Sequence, residues 1–445
     1  MNTSHINPRI SRRAFICSAG SFALFGAIAA SGCAEIGPHI DPQPGDTPQD
    51  ETNTAQTDSA DATVEKDLAA RTPLDIATLT GTLDERTAQV LEALTLEQKV
   101  GQLFIIRPEG LINNNSALTD DSYGDIQSIS ETFGHNYVET PVGGVCIFAG
   151  NIVEPNQLYV FNEGIQYCSR HATGLPAFIA IDEEGGLVSR IGGKAGFEID
   201  NVGPMLDVGY EGPGSAYDVG LWIGTYLREY GCNLDFAPVA DVVYDPYTSS
   251  IGNRSFGADP AYVAECVTSE IAGFKDALML CSPKHFPGIG NAVGDSHDSS
   301  IYTEKPLENM LQEELVPFAA AIEAQVPFIM VGHITCTYTN SNLPASLDPA
   351  ILKDLLRKQM GFDGIITTDS LEMGAVGNLY GWDNIGVAAL DAGVDVILMP
   401  ANFKVAYQGI LNAVKEDRLT EARIDESVTR IIRCKLAYLD SLQQG

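Results

Sequence analysis

A chain of 445 residues with 44% hydrophobic side chains can bury one large core or two modest ones. Its formal net charge of −33 argues against nucleic acid and anionic membrane surfaces as partners, because association would have to overcome repulsion from phosphates. A neutral, soluble ligand suits it better.

The first 33 residues read as an address and not as part of a fold. Ser11-Arg12-Arg13-Ala14-Phe15 has a twin-arginine pattern, and the apolar run from Ala19 to Ala30 is too short to span a bilayer as a stable helix. Ala30-Ser31-Gly32-Cys33 resembles the lipobox of bacterial lipoproteins, which makes Cys33 the expected lipidation site. An ordinary signal peptide or a membrane anchor with an incidental cysteine is the alternative; the small residues before Cys33 count against it. Residues 34–80 are rich in Asp, Glu, Thr, Gln, Pro and Ala, with too few aromatic and β-branched clusters to offset the entropy of ordering. The sequence therefore predicts a disordered acidic tether there and a folded domain over 81–445, exported and held outside the cytoplasmic membrane by its lipid alone. Of nine cysteines, Cys17 would leave with the signal and Cys33 would be acylated, leaving an odd number with no CxxC pair. Neither a disulfide framework nor a zinc site is expected.

Along the folded part, near-continuous apolar runs recur at 101–106, 143–148, 178–182, 234–240, 282–285, 328–333, 364–369 and 394–400. Strands buried on both faces have this character. Amphipathic stretches separate most of them, such as Ala261 to Ala277, Met310 to Ala324 and Pro349 to Met360, and two more, Phe403 to Val414 and Thr420 to Leu439, follow the last. This rhythm predicts an α/β fold, a single TIM-type (β/α)8 barrel, with a doubly wound open sheet as the alternative. The cluster Gly288-Ile289-Gly290-Asn291-Ala292-Val293-Gly294 lacks the spacing of a dinucleotide fingerprint and leads into Asp295 and not into a helix, so a loop over the barrel mouth is preferred.

Ionisable residues gather where two runs stop. Lys284-His285-Phe286-Pro287-Gly288 is followed by Asp295-Ser296-His297-Asp298, and Asp369 ends the run 364–369. Such charges are costly in a core but useful at the C-terminal ends of parallel strands, where barrel enzymes hold their chemistry.

Six motifs in order carry a resemblance: LTLEQKVGQLF (94–104), IDEEGG (181–186) with Arg190, GNRSFG (252–257), KHFPG (284–288), DSH (295–297) and TDSLEMGA (368–375). Over about residues 84 to 440 the chain resembles glycoside hydrolase family 3, specifically its β-N-acetylglucosaminidase branch. The resemblance implies a retaining exo-enzyme that removes terminal β-linked N-acetylglucosamine from peptidoglycan fragments or related glycans. Asp369 would be the nucleophile, forming a covalent glycosyl intermediate, and His297, paired with Asp295, the acid/base. Residues i and i+2 of extended backbone point the same way, so Asp295 can fix the tautomer of His297. A helix N-cap is the alternative role for Asp369, and a solvated loop position for His297.

Asp182, Arg190, Arg254, Lys284 and His285 are expected to bind the sugar, whose hydroxyls need paired donors and acceptors. For Arg254 and Lys284 the alternative is a charge pair stabilising the barrel mouth, and His333 reads either as support for the site or as a core histidine. The expected partner is carbohydrate and the expected state a monomer, without cofactor or metal, since no histidine spacing supports a metal site. Two departures stand out: family members often carry histidine where Ile289 stands and arginine at Leu187. Rival readings are a β-glucosidase or β-xylosidase of the same family, a phosphorylase, because a histidine acid/base does not repel incoming phosphate, and a sugar-binding lipoprotein.

Overall fold

The computed structural model describes residues 74–112, 126–293, 301–372 and 381–444. The export signal, Cys33 and most of the expected tether lie outside the described residues, as do Asp295 and His297. In chain order the strands are β1 (Phe104–Ile106), β2 (Gly144–Ile147), β3 (Phe178–Ile181), β4 (Leu234–Asp235), β5 (Leu280–Cys281), β6 (Ile301–Thr303), β7 (Phe328–Val331), β8 (Ile334–Cys336), β9 (Ile365–Thr368) and β10 (Ile397–Leu398). Every residue of β2, β3, β7 and β9 is buried, as in parallel strands covered on both faces.

The expectation of a regular eight-stranded barrel is corrected. A continuous ladder covers only six strands, in the order β10-β1-β2-β3-β4-β5, all parallel, while β7 pairs with β9 and β6 with β8 in separate two-stranded pieces. The result is a parallel half-barrel. Single bridges, Phe286↔Val331 and Thr367↔Val396, mark where the ladder thins. Two local causes are visible. Beyond β5 the chain carries Pro283 and Pro287, which have no N–H to donate, and the continuous ladder gives way within the expected 282–285 run to a single bridge, Val239↔Lys284. Between β9 and β10 the Asp395 carboxylate takes the Ile366 N–H at 2.9 Å, while the N–H groups of both Asp395 and Val396 converge on the Ile366 carbonyl. A side chain thus replaces one rung. The order runs without reversal from β1 to β5, unlike the doubly wound alternative.

The expected tether is also corrected at its end. Leu74, Ile76 and Leu79 pack against the core, and the Asp75 carboxylate accepts the Ala77 N–H at the 3-10 turn Ile76–Thr78. The motif at 94–104 opens a helix, Leu96–Gln102, through a capping box between Thr95 and Gln98. Close packing explains its glycine: a Cβ on Gly101 would lie 2.3 Å from the Pro141 carbonyl oxygen. Beneath the strands, the C-terminal helix Glu421–Gln444 inserts Lys435, whose Nζ donates to Gln102 Oε1 at 2.7 Å and to the Gly143 carbonyl at 2.9 Å, 4.7 Å from the centre of the Phe178 ring. Among the described residues no helix is long and apolar enough to cross a membrane, and all seven cysteines are free thiols.

Candidate active site

Parallel pairing carries the C-terminal ends of the strands to one rim. Asp182 follows β3, Lys284 and His285 follow β5, His333 follows β7 and Asp369 follows β9. Lys284 Nζ lies 2.6 Å from Asp182 Oδ1 and 2.6 Å from Glu184 Oε1, and Arg254 grips the same Glu184 with two bonds, Nε to Oε2 at 2.7 Å and Nη2 to Oε1 at 2.8 Å. Burial opposes the charge of Glu184, but Lys284 and Arg254 outweigh it and hold the carboxyl at about 2. Burial likewise works against the Lys284 ammonium, and Asp182 and Glu184 more than compensate, raising it above its ordinary range. Two cations and two carboxylates balance. Asp182, 21% exposed against 3% for Lys284, is the member of that pair a ligand can reach.

His285 Nδ1 lies 2.8 Å from Asp241 Oδ2, and since a carboxylate only accepts, the Nδ1–H donates. On the other side, Asp369 donates its own N–H to the Val331 carbonyl at 2.8 Å and receives the Ser370 N–H on Oδ1 at 2.7 Å. Burial works to raise the Asp369 carboxyl, but His285, His333, the Ser370 amide and Lys284 together bring it below the ordinary carboxylate range. His333 Nε2 meets the Ser370 carbonyl at 2.9 Å, so it carries the proton, while Nδ1 accepts from the Ser346 hydroxyl at 2.8 Å. Burial lowers the basicity of His333 and keeps this neutral tautomer. The structure thus brings Asp182, Lys284, His285, Arg254 and Asp369 together, and gives His333 a supporting position beneath the nucleophile candidate.

The profile of the glycosyl hydrolase family 3 N-terminal domain matches residues 95–434. The chain belongs to glycosyl hydrolase family 3. It is 28% identical to β-hexosaminidase A of Pseudoalteromonas piscicida over 367 residues, 77% of this chain and 61% of that protein. It is 31% identical to β-hexosaminidase LpqI of Mycobacterium tuberculosis over 308 residues, 66% of this chain and 76% of that protein. A solved family 3 β-N-acetylglucosaminidase from Paenibacillus sp. str. FPU-7 superposes with a TM-score of 0.68 at 33% identity, covering 78% of this chain and 63% of that one. The chain therefore spans less than two thirds of the Pseudoalteromonas and Paenibacillus proteins.

Within this family 3 chain, Arg190 is presented by a loop wrapped around a buried carboxylate. Glu183 accepts the hydroxyls of Ser189 at 2.6 Å and Tyr226 at 2.8 Å, and the N–H groups of Arg190, Ile191 and Gly192 at 2.5, 3.0 and 2.8 Å. The Arg190 guanidinium lies 5.8 Å from the centre of the Phe148 ring. Glu183, Glu184 and Asp241 are the carboxylates of this rim that sequence reasoning did not single out, although the run Asp182-Glu183-Glu184 was a signal: three acids in a row at a strand end need three partners. Of the two departures, Ile289 is buried and gives its N–H to Asp241 Oδ1 at 2.6 Å, whereas Leu187 is 82% exposed. Asp295 and His297 are outside the described residues, but the chain on either side of them is pinned by an antiparallel bridge, Val293↔Tyr302. The Gly290 approach is equally close, since a Cβ there would meet the Val242 carbonyl oxygen at 2.2 Å. Among the described residues no cluster of histidine, cysteine and carboxylates is arranged to hold a metal ion.

Proposed function

We propose that this family 3 chain is a β-N-acetylhexosaminidase that releases terminal β-linked N-acetylglucosamine with retention of configuration. The observation that carries the reading is Asp369, a carboxylate at a strand end, kept charged by its neighbours and backed by the Ser370 amide. An anionic carboxylate there can attack the anomeric carbon and form a glycosyl-aspartate, which water then resolves. Asp182 accepts from sugar hydroxyls, with Arg190, Lys284 and His285 as donors or acceptors around it, and Arg254 orients Glu184. His297, tuned by Asp295, protonates the leaving oxygen and later activates water. The β-hexosaminidase names of the relatives support the choice of sugar.

Rates on matched aryl β-glycosides test this reading. A strong preference for the N-acetylglucosaminide over the glucoside supports it, and parity or the reverse order sinks it. The first-formed product should be the β-anomer by proton NMR, and added phosphate should give no glycosyl phosphate. The twin-arginine pattern and Cys33 extend the proposal to an exported, lipid-anchored monomer acting on peptidoglycan fragments. Cys33→Ser should move activity from the membrane fraction to the soluble one, and a wild-type enzyme found wholly in the cytosol would refute that location.

A further inference from the structure

Arg107 follows β1 directly and is one of the largest fully buried side chains of the protein, with 1% of its side chain exposed. It lies outside all six motifs. Its guanidinium meets Glu372 Oε1 through both Nε at 3.2 Å and Nη2 at 3.1 Å. Burying a guanidinium is costly and is tolerated only against a compensating charge, so an arginine in this position has a specific carboxylate to hold.

Glu372 stands three residues beyond Asp369. The turn between them is held from several directions. The Asp369 N–H goes to Val331 of β7, the Ser370 carbonyl to His333, and the Leu371 N–H to the Leu398 carbonyl of β10 at 3.0 Å. The Glu372 N–H folds back onto Ser370 Oγ at 3.3 Å, and the Glu372 side chain reaches across to Arg107 at the end of β1. These ties start at the sheet's two-stranded piece and end on its six-stranded ladder.

We infer that Arg107 is a positioning residue for the nucleophile, acting through Glu372. Its guanidinium ties the far end of the Asp369-to-Glu372 turn to β1, so that the Asp369 carboxylate meets the anomeric carbon in line. Arg107 touches no reacting atom. The inference rests on Asp369 being the nucleophile.

Steady-state kinetics on an aryl β-N-acetylglucosaminide, with melting temperatures, test it in wild type, Arg107→Lys, Arg107→Met, Glu372→Gln and the Met/Gln double variant. Displacing a reacting group by about 1 Å can cost roughly 100-fold, so Arg107→Met should lower kcat about 10- to 100-fold with KM nearly unchanged. Arg107→Lys should recover part of the loss, and the double variant should be no worse than Arg107→Met, because both changes break one contact. Wild-type kcat in Arg107→Met and Glu372→Gln overturns the inference, as does a loss that is additive in the double variant or confined to KM. If Arg107→Met does not fold, unchanged kcat in both Arg107→Lys and Glu372→Gln is the overturning result. An inactive wild type removes the functional reading and this inference with it, whereas an active wild type with unaltered variants removes only the inference.

Discussion

Asp241 binds His285 twice, taking its Nδ1–H at 2.8 Å and its backbone N–H at 3.2 Å, while its second oxygen takes the Ile289 N–H at 2.6 Å. One buried carboxylate therefore fixes an imidazole tautomer and the start of the segment that runs on to Gly294. Replacing Asp241 with alanine orphans three donors, each at a cost of about 1–3 kcal/mol. The melting temperature should fall. Activity should drop roughly 10- to 100-fold, the worth of one hydrogen bond of about 1.5–3 kcal/mol lost at the sugar when the imidazole can turn. Asp241→Asn, which keeps one acceptor, should fall between; full activity in Asp241→Ala would show that His285 does not depend on it.

Asp369→Ala should fold and lose several orders of magnitude in turnover, since the covalent route cannot start. The pH dependence follows from the sign of its shift. The Asp369 carboxyl is held below its ordinary value of 3.8 in the folded protein, so its share of stability is present above that value and is lost as pH falls through the lower folded value. The nucleophile is thus charged throughout the neutral and mildly acidic range. The acid limb of kcat/KM should then lie no higher than the range where carboxyls titrate, and a limb near pH 6 that vanishes in no histidine variant would contradict this assignment.

His297→Ala should damage hydrolysis of substrates with poor leaving groups far more than of activated aryl glycosides, because only the former need a proton delivered. A comparison of two or three aryl glycosides of graded leaving-group acidity reads this directly. Equal losses on all of them would make His297 structural.

Lys435 gives the fold a pH slope of its own. Burial lowers its ammonium from an ordinary 10.5 to about 7. Below the folded value it is charged in both states, and the full cost of burying the charge is present. Between the two values the unfolded chain binds more protons than the folded one, so stability should rise with pH across that window. Lys435→Met should flatten this slope. At neutral pH its net effect should be small, because relief of the buried charge is offset by about 1–3 kcal/mol for each acceptor left unpaired at Gln102 Oε1 and the Gly143 carbonyl. Urea unfolding between pH 6 and pH 10 measures the slope in both proteins, and identical slopes would remove Lys435 as its source.

The strands were legible wherever an apolar run is buried on both faces, because burial leaves continuous Val, Ile and Phe in the sequence: 178–182 and 364–369 became β3 and β9 almost residue for residue. Lys284, His285 and Asp369 were legible for the opposite reason, as charges placed where such runs end. What could not be read was anything created by pairing across the chain. Glu184 acquires its role from Arg254, 70 residues away, Asp241 from His285, 44 away, and Glu372 from Arg107, 265 away. A lone glutamate or arginine in a sequence carries no mark of the buried partner that will neutralise it. The thinning of the ladder was hidden in the same way: the Asp395 side chain, held by Arg357, Arg430 and Ser427, replaces a backbone rung at Ile366. Local sequence thus determined where the long buried strands lie and where charge must emerge, since burial and backbone sterics act residue by residue, but it did not mark β6 and β8, which lie outside the eight apolar runs. Only the tertiary structure decided which charges meet and which strands close against one another, because those energies exist only between groups brought together by the fold.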